Sequence, residues 1–215
     1  MENRIGILWD LDGTLLNTLG DLTASVNFAL AACGLPARTE AEVRGFIGNG
    51  VAALMERAVG DVSRPEALDV FRAHYEAHCR EKTAPYPGIP EALADLGAEF
   101  PMAIVSNKVD SAAKNLCAAF FPGVLAIGEM PDCPRKPAPE MVFRAMRELG
   151  VRRAVYVGDS DVDLATAANA QLPCLSVTWG FCDRARLAGC GAVYFCCDPA
   201  ELPAQLRRIA ARMED

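Results

Sequence analysis

Acidic residues near both ends of the chain are the first candidates for chemistry. Asp10 and Asp12 are two residues apart, so in an extended segment their side chains project to the same side. Asp159 and Asp163 are four apart at a predicted helix start, so they share a face. Four carboxylates in one crevice repel each other unless a cation joins them. A few carboxylates plus a substrate oxygen are typical of a Mg²⁺ site.

A hydroxyl group and an amine on two other segments would suit a phosphate group. Ser106 follows a short apolar run and is placed to donate a hydrogen bond to a phosphoryl oxygen, although a serine there is often only a cap. Lys136 lies in a proline-stiffened loop, residues 135–139. Most lysines are merely solvated, but a fixed cation beside a phosphate would stabilise the charge of a transferring phosphoryl group.

Short apolar runs precede these candidates and predict the elements that position them. Their length and lack of alternation favour parallel strands buried on both faces, and helical patterns lie between the later ones. The predicted fold class is therefore α/β, a doubly wound (Rossmann-like) parallel sheet. Ligands bind such sheets at the carboxyl ends of the strands, so the polar clusters should converge. The predicted strands are residues 5–9, 102–105, 124–127, 154–157 and 174–177, and the later helices are 110–120, 139–150 and 161–169.

One connection is far longer than a simple crossover needs. About 90 residues separate the first two predicted strands, and the pattern of this connecting segment is mostly helical. Two segments, Thr39 with Glu42 and Ser63 with Glu66, have the form of a capping box. We interpret residues 18–84 as an inserted small helical cap domain and residues 1–17 and 85–215 as the core domain. The alternative is a decoration packed permanently on the sheet.

Composition excludes several classes of protein. The net charge of the 215 residues is −7 and no block of Lys and Arg occurs, which argues against nucleic acid as a partner. No run approaches the ~18 apolar residues of a membrane span, and the N-terminus does not resemble a signal peptide, so we expect a cytoplasmic protein. We expect it to be a monomer or a homodimer. The nine cysteines are scattered, which favours buried small hydrophobic residues over a metal or redox cluster.

The candidate residues, taken in order, resemble the motifs of a known family. Residues 10–14 (Asp-Leu-Asp-Gly-Thr), Ser106, Lys136 and residues 158–163 (Gly-Asp-Ser-Asp-Val-Asp) are similar to the four motifs of the haloacid-dehalogenase-like (HAD) hydrolase superfamily. The resemblance covers essentially the whole chain, with the helical insertion between the first and second motifs. The family's dehalogenases lack an acid two residues after the nucleophile, so Asp12 favours phosphatase chemistry.

The resemblance implies a role for each matching residue. Asp10 would be the nucleophile that forms a phosphoaspartate, and Asp12 would protonate the leaving oxygen and then activate water. Mg²⁺ would be held by Asp10, the Asp12 backbone carbonyl and Asp159, with Asp163 in support. Residues implied to contact the substrate or its phosphate are Thr14, Ser106, Asn107 and Lys136.

Further segments resemble bacterial phosphoglycolate phosphatases, namely residues 44–50, 106–108 and 178–181. Gly48 and Gly50 flank Asn49 just before a helical pattern, which would leave backbone N–H groups available to a carboxylate. Arg44 lies one helical turn away and would pair with the same anion. The alternative is that the glycines only form a tight turn between helices.

These features predict an enzyme, a Mg²⁺-dependent phosphatase acting on a small phosphorylated metabolite, with 2-phosphoglycolate as the favoured substrate. Pyrophosphate or a sugar phosphate is the first alternative. A β-phosphoglucomutase-like phosphomutase is the second, and Thr14 argues against it because such mutases often carry valine at that position. A non-catalytic phosphate-binding protein is the third, disfavoured because all the predicted catalytic side chains are retained.

Overall fold

The computed structural model describes residues 4–61 and 63–214. Strands and helices alternate after residue 84, whereas helices predominate before it. The elements are β1 (Ile5–Trp9), β2 (Leu16–Asn17), α1 (Leu19–Ala32), α2 (Glu40–Phe46), α3 (Gly50–Val59), α4 (Glu66–His78), β3 (Ala84–Pro85), α5 (Ile89–Gly97), β4 (Met102–Val109), α6 (Asp110–Phe120), β5 (Leu125–Glu129), α7 (Glu140–Leu149), β6 (Arg153–Gly158), α8 (Asp161–Asn169), β7 (Cys174–Val177), α9 (Arg184–Gly189), β8 (Tyr194–Cys196) and α10 (Leu202–Glu214).

The chain forms two compact units. The first ends at Leu16 and resumes at Pro85, and the second comprises Asn17–Ala84. Strands β2 and β3 pair with each other in a separate two-stranded sheet, where the chain passes from one unit to the other. The function of the second unit as a cap domain stays a prediction.

A six-stranded parallel sheet forms the centre of the first unit. The strand order is β5-β4-β1-β6-β7-β8, and every pair in it is parallel. The chain builds outward from β1 on one side through β4 and β5, then on the other through β6, β7 and β8. The order thus reverses beside β1, the place where open α/β sheets bind ligands. The predicted doubly wound α/β class is confirmed.

Apolar side chains fix this sheet between helices. Every residue of β1 is buried, which explains the unbroken apolar run of a strand covered on both faces. On one face, Leu8 and Val105 pack with Met141 and Val142 of α7 and with Ala167 of α8. Burial of such side chains contributes roughly 1.5–3 kcal/mol each, so this core holds the strand ends in place.

Helix and strand boundaries differ from the sequence prediction in a few places. Helix α7 follows Pro139 and ends before Gly150, whose φ of +69° suits a helix terminus, as predicted. Asp110 is the first residue of α6 rather than its cap. Strand β8 was not predicted, because three residues give too short a pattern, and β4 continues past residue 105 to Val109.

Two predictions on caps and cysteines are corrected. The capping box of Thr39 and Glu42 is confirmed, but α4 begins after Pro65, so Ser63 caps nothing there. All nine cysteines are free thiols, and Cys190 and Cys197 are exposed rather than in the core. Within the described residues, no helix combines the length and apolar character that crossing a membrane requires.

Candidate active site

Three carboxylates meet at the carboxyl ends of β1 and β6. Asp10 follows β1, Asp159 follows β6, and Asp163 lies in the first turn of α8. One carboxylate oxygen from each lies within 4.8 Å of the others, and all three residues are buried. The Asp10 N–H donates to the carbonyl of Val157 over 2.8 Å, which ties the start of this loop to the neighbouring strand. The sheet therefore brings together residues that are about 150 positions apart in sequence.

Lys136 provides the cation of this cluster. Its side chain is 3% exposed. Nζ lies 2.8 Å from Asp10 Oδ1, 2.8 Å from Asp163 Oδ1 and 3.0 Å from the Tyr156 hydroxyl. An ammonium group has three hydrogens to donate, so these three partners account for its full capacity. Lys136 is therefore fixed against both acidic motifs, as the sequence predicts.

The side chain of Asn107 holds the Lys136 backbone in place. Its Nδ2 donates to the Lys136 carbonyl over 2.9 Å, and its Oδ1 accepts from the Lys136 N–H over 2.8 Å. This paired contact fixes the proline-containing loop against β4. The Asn107 side-chain amide is thus used within the protein. The backbone N–H of Asn107 is the group that stays predicted to contact the phosphate.

Backbone and hydroxyl donors position Asp159. Thr14 Oγ1 donates to Asp159 Oδ1 over 3.1 Å, and the Phe181 N–H donates to Asp159 Oδ2 over 2.6 Å. A Cβ atom added at Gly13 or Gly180 would collide with this carboxylate, so both positions require glycine. The structure places the Thr14 hydroxyl on Asp159, and its predicted contact with substrate remains a prediction.

Asp163 connects the helix α8 to the cluster. Its Oδ2 accepts from the Ser160 N–H over 3.1 Å and the Ser160 hydroxyl over 2.6 Å, while its own N–H donates to Ser160 Oγ, forming a capping box. Its Oδ1 faces Lys136 and the Tyr156 hydroxyl. Asp163 therefore both caps the helix and holds the lysine.

The Asp12 carboxylate lies apart from the other three. The sequence predicts four carboxylates around one cation, but Asp12 is not part of the cluster. Its Oδ1 lies 3.0 Å from Nζ of Lys108 in a largely buried ion pair. The chain turns at Gly13, whose φ is +88° and whose N–H donates to the Leu16 carbonyl.

Burial and unbalanced charge perturb the titration of the cluster. Burial, followed by the charge of Asp163, raises the pKa of Asp10 well above its usual range, although Lys136 opposes this. Burial and Asp163 raise the pKa of Asp159 to about 7, against the donors from Phe181 and Thr14. Burial alone would lower the pKa of Lys136, but Asp10 and Asp163 raise it well above its usual value. Three carboxylates face one ammonium, an arrangement with oxygen donors and excess negative charge that fits a divalent cation.

Tyr156 is the clearest site residue that the sequence analysis missed. It lies on β6 and is fully buried, and its hydroxyl also contacts the Val105 carbonyl at 3.3 Å. Burial raises the pKa of its phenol well above the usual value, so it stays neutral beside Lys136. The only available signal was a phenol in an otherwise aliphatic strand pattern. Trp179, whose Nε1 donates to the Thr14 carbonyl over 3.0 Å, was noted in sequence but given no role.

The remaining predicted substrate residues lie in the second unit. Arg44 is in the last turn of α2, and Asn49 precedes the first residue of α3. Gly48 has a φ of +119° and Gly50 a φ of +78°, conformations that favour glycine. The glycines therefore lie in a tight turn between two helices, and carboxylate binding there stays a prediction.

Comparison with known proteins places the chain in a family. The family model described as "Haloacid dehalogenase-like hydrolase" matches residues 7–177. A phosphoglycolate phosphatase of Cereibacter sphaeroides is 37% identical over 191 residues, covering 82% of this chain and 86% of that protein. A phosphoglycolate phosphatase of Aquifex aeolicus is 33% identical over 183 residues, covering 81% of this chain and 85% of that protein.

Solved structures share the same fold. A protein of Lactobacillus delbrueckii subsp. bulgaricus superposes with a TM-score of 0.88 at 31% identity, covering 96% of this chain and 99% of that one. CbbY of Rhodobacter sphaeroides, solved in complex with phosphate, has a TM-score of 0.77 at 27% identity, covering 95% and 99%. The chain therefore belongs to the haloacid dehalogenase-like hydrolase family and is a phosphatase, a phosphoric monoester hydrolase, of that family.

Proposed function

We propose that the protein is a Mg²⁺-dependent phosphatase that hydrolyses 2-phosphoglycolate through an aspartyl-phosphate intermediate on Asp10. The observation that carries this proposal is the contact of Lys136 with both Asp10 and Asp163 inside the buried carboxylate cluster. The substrate is supported by curated relatives named phosphoglycolate phosphatase that match more than four-fifths of the chain.

Asp10 is the proposed nucleophile. Its carboxylate oxygen attacks phosphorus, the bond from phosphorus to the leaving oxygen breaks, and the Asp12 carboxyl donates a proton to that oxygen. In the second step Asp12 takes a proton from water, the water oxygen attacks the phosphorus of the phosphoaspartate, and phosphate leaves as the Asp10 carboxylate re-forms. Lys136 holds the Asp10 Oδ1 atom, which leaves Oδ2 to attack.

Three groups would hold the metal ion, namely the Asp10 and Asp159 carboxylates and the Asp12 backbone carbonyl. Asp163 supports them through Lys136. Bound Mg²⁺ supplies positive charge that offsets repulsion between the Asp10 carboxylate and the phosphate. Family phosphatases generally need a divalent metal, and oxygen-only ligands with one or two carboxylates favour Mg²⁺.

The remaining residues bind and orient the substrate in this proposal. Ser106, which is 2% exposed on β4, donates to a phosphate oxygen together with the Asn107 backbone N–H. Lys136 offsets phosphate charge. Residues 18–84 act as the cap domain, and Arg44, Gly48, Asn49 and Gly50 are its proposed contacts with the substrate.

Substitution of the nucleophile tests the mechanism. Asp10→Asn removes the attacking oxygen at nearly constant volume, so kcat should fall by more than about 10³-fold while thermal unfolding stays cooperative. Asp132→Asn, an exposed carboxylate outside the cluster, is the matched control and should keep full activity. Turnover of the Asp10 variant near the wild-type rate would contradict the assignment.

Metal and substrate are tested in one assay. Phosphate release from a panel of phosphoglycolate, pyrophosphate, sugar phosphates and a β-hexose 1-phosphate is measured with EDTA and then with added Mg²⁺. We expect activity only with the metal and the highest kcat/KM with phosphoglycolate. Activity that is insensitive to EDTA would rule out the metal assignment, and preference for another ester would rule out the substrate.

A further inference from the structure

A largely buried ion pair joins Asp12 to a residue that the mechanism proposed above does not use. Nζ of Lys108 lies 3.0 Å from Asp12 Oδ1, and the two side chains are 4% and 14% exposed. Asp12 is the proposed acid and base, so a charged group in contact with its carboxylate acts directly on the atoms that transfer a proton. Lys108 is therefore a candidate for a role in the same reaction.

The backbone on each side of the ion pair is anchored. Lys108 lies on β4, and its N–H donates to Ser106 Oγ over 3.2 Å. Asp12 follows β1, and the chain turns directly after it at Gly13, whose N–H donates to the Leu16 carbonyl over 2.9 Å. An exposed pair of long side chains gains little because both must be ordered to meet. This pair joins two segments that are already fixed, so it can hold the carboxylate in one orientation.

The surroundings of the ion pair strengthen the contact. Cys117 of α6 lies near both charges, and burial followed by the charge of Asp12 raises the pKa of its thiol to about 12, against the effect of Lys108. The thiol is therefore neutral and adds no charge to the pair. Two opposite charges in largely buried surroundings attract each other more strongly than they would in water.

We propose that Lys108 is a positioning residue that holds the Asp12 carboxyl group in the orientation that proton transfer requires. This inference rests on the proposed function, in which Asp12 is both acid and base. In the first step the carboxyl group gives its proton to the leaving oxygen as the bond from phosphorus to that oxygen breaks. In the second it takes a proton from water as the water oxygen attacks phosphorus. Lys108 acts through its contact with Oδ1, whatever other groups its ammonium contacts.

The leaving group decides how far the first step depends on Asp12. The alkoxide oxygen of glycolate needs a proton as it leaves, whereas acetyl phosphate releases acetate, a stable anion that needs none. Hydrolysis of the phosphoaspartate follows the departure of either group, so kcat/KM reports the first step for both substrates. The ratio of kcat/KM for phosphoglycolate to that for acetyl phosphate therefore measures proton donation.

The test measures this ratio with Mg²⁺ for wild type, Lys108→Met, Asp12→Asn, the double variant and the control Lys114→Met. Lys114 is an exposed lysine on α6 paired with Asp110, so its variant should keep the wild-type ratio. We expect the ratio to fall about 10- to 100-fold in Lys108→Met, which is part of the 10²- to 10⁴-fold typical of acid–base catalysis because Asp12 is still present. In the Asp12→Asn background the lysine substitution should lower the ratio no further, since Lys108 acts through Asp12.

Two results would overturn the inference. An equal fall of kcat/KM for both substrates in Lys108→Met would mean that the lysine supports phosphate binding or the fold rather than proton donation. A further fall of the ratio in the double variant would mean that Lys108 acts independently of Asp12. Lys108→Gln, which is also neutral, replaces the methionine variant if that protein does not fold, and the same fall is expected.

Failure of the proposed function would look different. If Asp12→Asn keeps the wild-type ratio, Asp12 is not the acid, and the role of Lys108 is removed with it. If Asp12→Asn lowers the ratio and Lys108→Met does not, the role of Lys108 alone is removed. If wild-type protein does not hydrolyse phosphoglycolate, the substrate assignment fails, and the ratio is measured with the alkyl phosphate that has the highest kcat/KM in the panel.

Discussion

Replacing Asp159 with asparagine should stabilise the protein without metal and reduce the stabilisation that metal binding provides. The pKa of this carboxyl is raised from 3.8 to about 7, chiefly by burial and then by Asp163. A raised pKa in the folded state means that the protonated form is favoured there. The contribution of this carboxyl to the free energy of unfolding is therefore fully present below about pH 4, and it is lost as pH rises through about 7.

The size of the effect follows from the shift. About three pKa units correspond to an upper limit of about 4 kcal/mol at pH 8. Since 1 kcal/mol moves Tm by roughly 2–4 °C in a chain of this size, Asp159→Asn should melt higher than wild type in EDTA at pH 8, with an upper limit of about 8–16 °C. The difference should shrink at pH 5, where the wild-type carboxyl is largely protonated in the folded state.

Adding Mg²⁺ should reduce the difference. A ligand at 100 times its Kd stabilises the native state by about 2.7 kcal/mol, and the asparagine variant has lost a negatively charged ligand. Differential scanning calorimetry at pH 5 and pH 8, with EDTA and with Mg²⁺, measures both effects, and Asp132→Asn controls for loss of a surface charge. If Asp159→Asn melts below wild type in EDTA at pH 8, or if Mg²⁺ raises both Tm values equally, the charge argument is wrong.

Two further substitutions test how the cluster is positioned. Tyr156→Phe removes the hydroxyl that contacts Lys136. We expect kcat to fall about 10- to 100-fold with little change in KM. An unchanged kcat in steady-state assays would contradict a positioning role for Tyr156. Gly180→Ala forces a Cβ against the Asp159 carboxylate and the Gly13 carbonyl, so it should lower the free energy of unfolding by about 1–3 kcal/mol. It should also weaken Mg²⁺ binding in a calorimetric titration. The control Gly189→Ala, at a position where space is open, should change neither quantity.

The parts of the fold that sequence predicted well are those with an unbroken local signal. Strand β1 is apolar throughout because both of its faces are covered, and it ends where Asp10 begins. Helix α7 is bounded by a proline and a glycine whose backbone preferences stop the helical pattern. Convergence of Asp10, Asp159 and Lys136 followed from the topology, since parallel strands place their carboxyl ends at one edge.

The errors arose where a contact depends on backbone geometry beyond the local pattern. Asp12 was grouped with the other three carboxylates from its position in the sequence, and that position does not show that its carboxylate pairs with Lys108. The contact of Lys108 with Asp12 joins two segments that are far apart in sequence, and no local hydrophobic pattern signals it. Tyr156 looked like an ordinary strand residue because its partners come from three other segments.

The two buried lysines explain why one divalent cation suits this site. The carboxylates of Asp10, Asp12, Asp159 and Asp163 carry four negative charges when ionised, whereas Lys108 and Lys136 carry two positive charges, which leaves a net charge of −2. A divalent cation cancels this excess, and a monovalent ion would leave a repulsion that opposes a phosphate dianion.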